Sequence, residues 1–210
     1  MIGLKQILCF GDSNTYGLIP GTKDRYDWNT RWTGILDSKV SKKGYRVIEE
    51  GLCGRTTVFE DAYRKGRKGI DFISVILETH KPIDTVVLML GTNDCKTAYN
   101  ASAEIIGQGI EEIIEEIRKT APEANIVLVS PIELGNRVWE EGFDPEFSGH
   151  SVEVSKELPI VYKKIAEDNN IYFLQASEFA VPSKADREHL DEVGHKNFAD
   201  AIYNKLKEVI

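Results

Sequence analysis

Four short clusters along this chain carry the side chains that acyl transfer needs. The first is Gly11-Asp12-Ser13-Asn14-Thr15-Tyr16-Gly17. It offers a serine hydroxyl at a turn where free backbone N–H groups can receive negative charge. The second, Gly51-Leu52-Cys53-Gly54-Arg55-Thr56-Thr57, offers the N–H of Gly54, because glycine lets backbone come close to an oxyanion. In the third, Gly91-Thr92-Asn93-Asp94, the Asn93 amide is a second donor of that kind. The fourth is Asp186-Arg187-Glu188-His189. An aspartate three residues before a histidine can reach its Nδ1–H within one turn, which leaves Nε2 to take a proton from serine. Taken singly, each cluster also reads as something plainer: a Gly/Asp/Ser turn, a two-glycine loop, an Asx turn, a bystander histidine. Together they supply a nucleophile, a base with its orienting acid, and two oxyanion donors beyond the serine's own N–H. That set is complete for acyl transfer.

The elements that must position these clusters are legible as a strand–helix alternation. Gln6 to Phe10, Arg46 to Glu50, Thr85 to Leu90, Ile126 to Ser130 and Ile171 to Leu174 are short apolar runs that read as buried strands. Between them lie helical periodicities, the clearest being Ile105, Ile106, Ile110, Ile113, Ile114 and Ile117 with glutamates on the other face. Asp191 is placed to cap a last helix whose apolar face is Phe198, Ile202, Leu206 and Val209. Five such alternations predict an α/β fold, a doubly wound flavodoxin-like three-layer sandwich with a five-stranded parallel sheet. A single domain over residues 1–210 is expected. Each cluster follows a predicted strand, so all four can converge at the carboxyl rim of the sheet. Two irregular stretches, Leu18 to Arg31 and Pro131 to Ser151, are expected at that same rim.

Of the other histidines, His80 falls at a predicted helix end, His150 in a loop and His195 inside the last helix. His189 is therefore expected to be the base and His195 a bystander. Asp186, His189, Asp191 and His195 taken as a metal cluster match no ligand spacing, and neither metal nor organic cofactor is expected. The net charge of −8 opposes a nucleic-acid partner, which ordinarily meets a basic face. The one basic cluster, Arg64-Lys65-Gly66-Arg67-Lys68, reads as a solvated loop, with anion recognition the lesser reading. Ile7 to Phe10 is too short for a signal-peptide core, and no stretch approaches the ~20 apolar residues of a membrane span. Cys9, Cys53 and Cys95 form no CxxC pair and cannot all pair internally, which favours reduced thiols and a cytoplasmic location. The expected partner is a small-molecule ester, with neither nucleic acid nor membrane.

These blocks resemble those of the SGNH (GDSL-type) hydrolases. Ser13 matches the nucleophile, Gly54 the glycine donor, Asn93 the asparagine donor, and Asp186 with His189 the Asp-x-x-His pair. Further segments look like the arylesterase/acyltransferase branch: Arg31-Trp32-Thr33-Gly34, Val47-Ile48-Glu49-Glu50-Gly51-Leu52 with Arg55-Thr56-Thr57, and Met89-Leu90-Gly91-Thr92-Asn93-Asp94. The resemblance implies hydrolysis of short-chain esters through an acyl-serine, acyl transfer to alcohols, and a homo-oligomer, an octamer in one well-known type. Three positions depart from that branch: Tyr16 stands where it has Trp, Cys53-Gly54 replaces a Ser-Ala pair, and Arg187 occupies a place often held by Gly. The rim aromatics are Tyr16, Trp28, Trp32, Phe59, Trp139, Phe143 and Phe147. Asp12, Tyr16 and Trp139 are candidate substrate contacts; Trp32 fits core packing equally well, and Trp139, Phe143 and Phe147 fit a lid or subunit contact. Rival readings are a carbohydrate O-acetyl esterase, a lysophospholipase or thioesterase, and a non-catalytic binding module on the same sheet.

Overall fold

The computed structural model of the chain describes residues 4–210. Five strands, β1 (Lys5–Gly11), β2 (Tyr45–Gly51), β3 (Thr85–Met89), β4 (Asn125–Ser130) and β5 (Tyr172–Gln175), pair in parallel in the order β2-β1-β3-β4-β5. All five predicted strands are present, each shifted by no more than a residue or so at its ends. The alternating pleat sends successive side chains to opposite faces. Leu8, Phe10, Val86, Leu88, Ile126 and Leu128 enter one apolar layer, and Ile7, Cys9, Val87, Met89, Val127 and Val129 the other. A central strand buried on both faces must be apolar throughout, which is why these segments read as continuous runs.

The first layer is closed by α3 (Ile70–Thr79), α4 (Ala103–Thr120) and α5 (Gly149–Asn169), the second by α2 (Trp32–Val40) and α6 (Glu192–Leu206). On α4, Ile106, Ile110, Ile113, Ile114 and Ile117 are fully buried. Each burial contributes roughly 1.5–3 kcal/mol. Ile105, predicted on that stripe, is 46% exposed, so the apolar face is one residue narrower than its spacing suggests. At the start of α6 the Asp191 carboxylate accepts the Gly194 N–H at 2.8 Å, as its capping position predicts. That helix ends at Leu206, and Val209 packs against the second layer from beyond its end. A Ser148–Ser151 capping box starts α5 at Gly149, so His150 stands in a helical first turn and not in the expected loop.

The order places β1 and β3 side by side, with β2 and β4 on their outer flanks. The winding of the chain reverses between β1 and β3, the place where α/β sheets open a crevice at their carboxyl edge. The turns after β1, β2 and β3 carry the first three clusters. Among the described residues no helix is long and apolar enough to cross a membrane.

Candidate active site

The turn that holds Ser13 forms because two glycines let it settle on the strand ends. Gly11 of β1 and Gly51 of β2 are register partners. A Cβ on Gly51 would lie 2.1 Å from the Tyr16 backbone nitrogen, and one on Gly11 would lie 2.8 Å from the Met89 carbonyl oxygen. Above them runs the single turn α1 (Ser13–Tyr16). The Asp12 carboxylate accepts the Asn14 N–H at 2.9 Å, and Gly17, at φ 81°, ends the turn by donating to the Ser13 carbonyl. Asp12 is 1% exposed. Its carboxylate caps the turn through Oδ1.

Ser13 and His189 meet across 176 residues of sequence: Oγ lies 2.8 Å from Nε2. The Nδ1 side of the same ring lies 2.7 Å from Asp186 Oδ2. Asp186 is itself held by donors, with the Glu188 and His189 N–H groups on Oδ1 at 3.0 Å each and the Gly21 N–H on Oδ2 at 2.9 Å. Burial alone would raise its pKa, but these donors and the neighbouring imidazole prevail and hold it down at about 2. For His189, burial opposes the charged ring. The charges of Glu188, Asp186 and Asp12 outweigh it and push the pKa up to about 9.

Asn14, which carries no signal of its own in the sequence, fixes the histidine's backbone from both sides. Its Oδ1 accepts the Leu190 N–H at 2.9 Å and its Nδ2 donates to the Glu188 carbonyl at 3.4 Å. Only its place beside Ser13 hints at this role, because its partners lie at the far end of the chain. Both irregular stretches fasten the same segment. The first supplies the Gly21 N–H to Asp186; the second supplies the Gly135 N–H to the Arg187 carbonyl at 2.7 Å. Arg187 sits at φ 63°, the left-handed region that glycine adopts more easily. Its guanidinium compensates by donating to the Asn136 and Arg137 carbonyls and lying 4.1 Å from the Phe143 ring centre.

The two oxyanion candidates are placed by a shared buried network. Gly54 is buried at φ 82°, and its N–H makes no protein hydrogen bond among the described residues. Asn93, 2% exposed, donates from Nδ2 to the Arg55 carbonyl at 3.2 Å, leaving its second amide hydrogen free. Asp94 accepts both the backbone N–H and the hydroxyl of Thr57, which ties the Asn93 segment to the Gly54 loop. Burial raises the Asp94 carboxyl to about 6.

His195 is enclosed and engaged elsewhere. Its Nδ1 accepts the Trp32 N–H at 3.3 Å, and burial lowers its pKa to about 4. With Asp191 occupied as a helix cap, these residues gather no metal-binding group with Asp186 and His189 among the described residues. The basic cluster is a partly solvated loop, with Lys65 exposed, whose two arginines also reach the site. Arg64 pairs with Asp61 at 2.8 Å and lies against Gly54, and Arg67 donates to the Cys53 carbonyl at 2.9 Å. The ring of Tyr16 is stacked by Arg25 at 4.0 Å. Trp139 is 36% exposed, whereas Trp32 and Phe147 are core residues, so Phe147 is no lid residue.

The array can deliver a serine alkoxide to a carbonyl and receive the resulting oxyanion. Known proteins agree with that reading. Residues 9–197 match the model of the GDSL-like Lipase/Acylhydrolase family. Among solved structures, an aryl esterase from M. smegmatis superposes with a TM-score of 0.92 at 29% identity, covering 98% of this chain and 100% of its own. Est24, a carbohydrate acetylesterase from Sinorhizobium meliloti, gives 0.90 at 30% identity, with 98% and 100% covered. A lipolytic G-D-S-L family member from Veillonella parvula, 19% identical over 98% of each chain, shares the fold at a TM-score of 0.69. No curated protein sequence matches the chain significantly. A family match over nearly the whole chain, on a sheet that brings all four clusters to one rim, identifies the chain as a member of the GDSL-like lipase/acylhydrolase family, a carboxylic ester hydrolase of the SGNH fold.

Proposed function

We propose that the protein hydrolyses short-chain, acetyl-like carboxylic esters through an acyl-Ser13 intermediate. The observation that carries this reading is the hydrogen-bonded line from Ser13 Oγ to His189 Nε2 (2.8 Å) and from Nδ1 to Asp186 (2.7 Å). His189 takes the Ser13 proton as Oγ attacks the ester carbonyl, and Asp186 stabilises the imidazolium formed. The N–H groups of Ser13 and Gly54 and the Asn93 amide hold the tetrahedral oxyanion. The imidazolium then gives its proton to the departing alcohol oxygen. Water, deprotonated by His189, attacks the acyl-enzyme and releases the acid and free Ser13.

The short acyl preference rests on the two rim stretches, both anchored to the Asp186–His189 segment and therefore poised to wall the site. A drier site also favours an alcohol over water as acyl acceptor, which supports transfer as a second outcome of the same intermediate. The resemblance to the arylesterase/acyltransferase branch supports a homo-oligomer, and three unpaired cysteines suit a reducing, cytoplasmic setting. Initial rates on acetyl, butyryl and octanoyl aryl esters, with and without added simple alcohol, test the reading. We expect kcat/KM to fall from acetyl to octanoyl and an acylated alcohol to form. Octanoyl preference would contradict the short-chain assignment, and acetyl preference without transfer product would remove the transferase.

A further inference from the structure

Next to the base stands a carboxyl that the reaction above does not use. Glu188 is 6% exposed, and its Oε1 lies 3.6 Å from His189 Nε2, beyond hydrogen-bond range. Neither carboxyl oxygen has a hydrogen-bond partner among the described residues, and the His189 ring is the charged or chargeable group within ion-pair distance of it. The nearby cations are engaged elsewhere: Lys96 Nζ lies 2.6 Å from Glu146, and Arg187 donates to the Asn136 and Arg137 carbonyls. The backbone is nevertheless fixed at both ends, by the Glu188 N–H on Asp186 and the Asn14 amide on the Glu188 carbonyl. The carboxyl is largely enclosed, yet its oxygens are not sealed from the surface, so a bound molecule can offer the hydrogen bond that the protein does not.

We propose that Glu188 is a specificity-determining residue for the alcohol half of the ester, hydrogen-bonding a second hydroxyl beside the ester oxygen and so selecting acylated polyols such as acetyl sugars. This inference rests on the esterase reading of Ser13 and His189. Its geometry follows from the proton that Nε2 must deliver: the departing oxygen has to sit at ~2.6–3.2 Å from that atom. Glu188 borders the same atom from its own side, so a hydroxyl on the carbon next to the ester-bearing one comes within reach of it. An aryl alcohol has no such hydroxyl. Burial holds the Glu188 carboxyl up at about 7, with Asp144 adding and His189 and Lys96 opposing. Near neutrality it therefore both accepts and donates, and a hydroxyl, which does the same, satisfies either state.

The test compares kcat/KM for xylose carrying a single acetyl group with kcat/KM for phenyl acetate, in wild type, Glu188→Gln and Glu188→Leu. The ratio cancels whatever Glu188 does to the shared base. Losing a hydrogen bond to a charged or half-charged group is expected to lower the sugar-to-aryl ratio about tenfold or more in Glu188→Leu. Glu188→Gln, similar in shape and still able to pair with a hydroxyl, is expected to recover much of it. An unchanged ratio in Glu188→Leu, or a wild type that cleaves phenyl acetate but not the acetyl sugar, would overturn the role of Glu188 while leaving the esterase intact. Should Glu188→Leu fail to fold, Glu188→Ala, which also lacks any hydrogen-bonding group at its end, takes its place, and an unchanged ratio in that variant would overturn the proposal. A wild type inert on both esters would overturn the esterase reading and this one together.

Discussion

At the scale of single residues, the site is governed by how many negative charges surround one imidazole. Against the pull of burial, Glu188, Asp186 and Asp12 raise the His189 pKa to about 9, where an ordinary imidazole titrates at ~6.5. The base must be neutral to accept the Ser13 proton, so deprotonation at higher pH switches activity on. We therefore expect kcat/KM for phenyl acetate to climb through the neutral range with a midpoint well to the alkaline side of an ordinary histidine. Glu188→Gln removes the foremost of the raising charges and should move that midpoint toward acid. A wild-type midpoint near 6.5, unmoved in the variant, would show that these carboxylates do not act on the base. Asp186 and His189 are legible in the sequence because their spacing is local and the chemistry of the pair is specific. Asn14 and Glu188 are not legible there. Their roles come from contacts with groups brought together only by the sheet, and Asn and Glu are commonplace residues in turns.

At the scale of elements, the strand ends decide where the nucleophile stands. The Gly11–Gly51 pairing leaves space for the Ser13–Tyr16 turn, and a methyl group at position 51 would meet the Thr15 and Tyr16 backbone at 2.1–2.6 Å. Backbone atoms cannot swing aside as a side chain can. Gly51→Ala should destabilise the fold by about 1–3 kcal/mol, the ordinary cost of overpacking. It should also lower kcat, because the turn must lift Ser13 away from His189. Thermal unfolding together with kcat for an acetyl ester checks both, and a variant with unaltered stability and rate would contradict the tight seat. The strands and α4 are readable because their apolar residues follow the periods of a pleat and a helix. The start of α5 is not, since its Ser148–Ser151 capping box lies within a stretch that composition alone marks as irregular. Nor is the packing of Arg64 over Gly54, because a run of basic residues ordinarily stands in water.

At the scale of the whole molecule, the parallel order β2-β1-β3-β4-β5 joins residues from both ends of the chain into one line of hydrogen bonds. The two long rim stretches, from opposite sides of the sequence, both fasten the Asp186–His189 segment, so the base is held by most of the fold. The family match over residues 9–197 and the aryl and carbohydrate esterase neighbours fit that architecture. The claim on which all of this depends is that Ser13 is the nucleophile. Intact-mass analysis after exposure to a fluorophosphonate, followed by peptide mapping and an ester-hydrolysis assay on wild type and Ser13→Ala, tests it most directly. We expect a single adduct on Ser13, and in Ser13→Ala neither adduct nor appreciable hydrolysis in a protein that still folds. Labelling of a different serine, or ester hydrolysis surviving in folded Ser13→Ala, would contradict it.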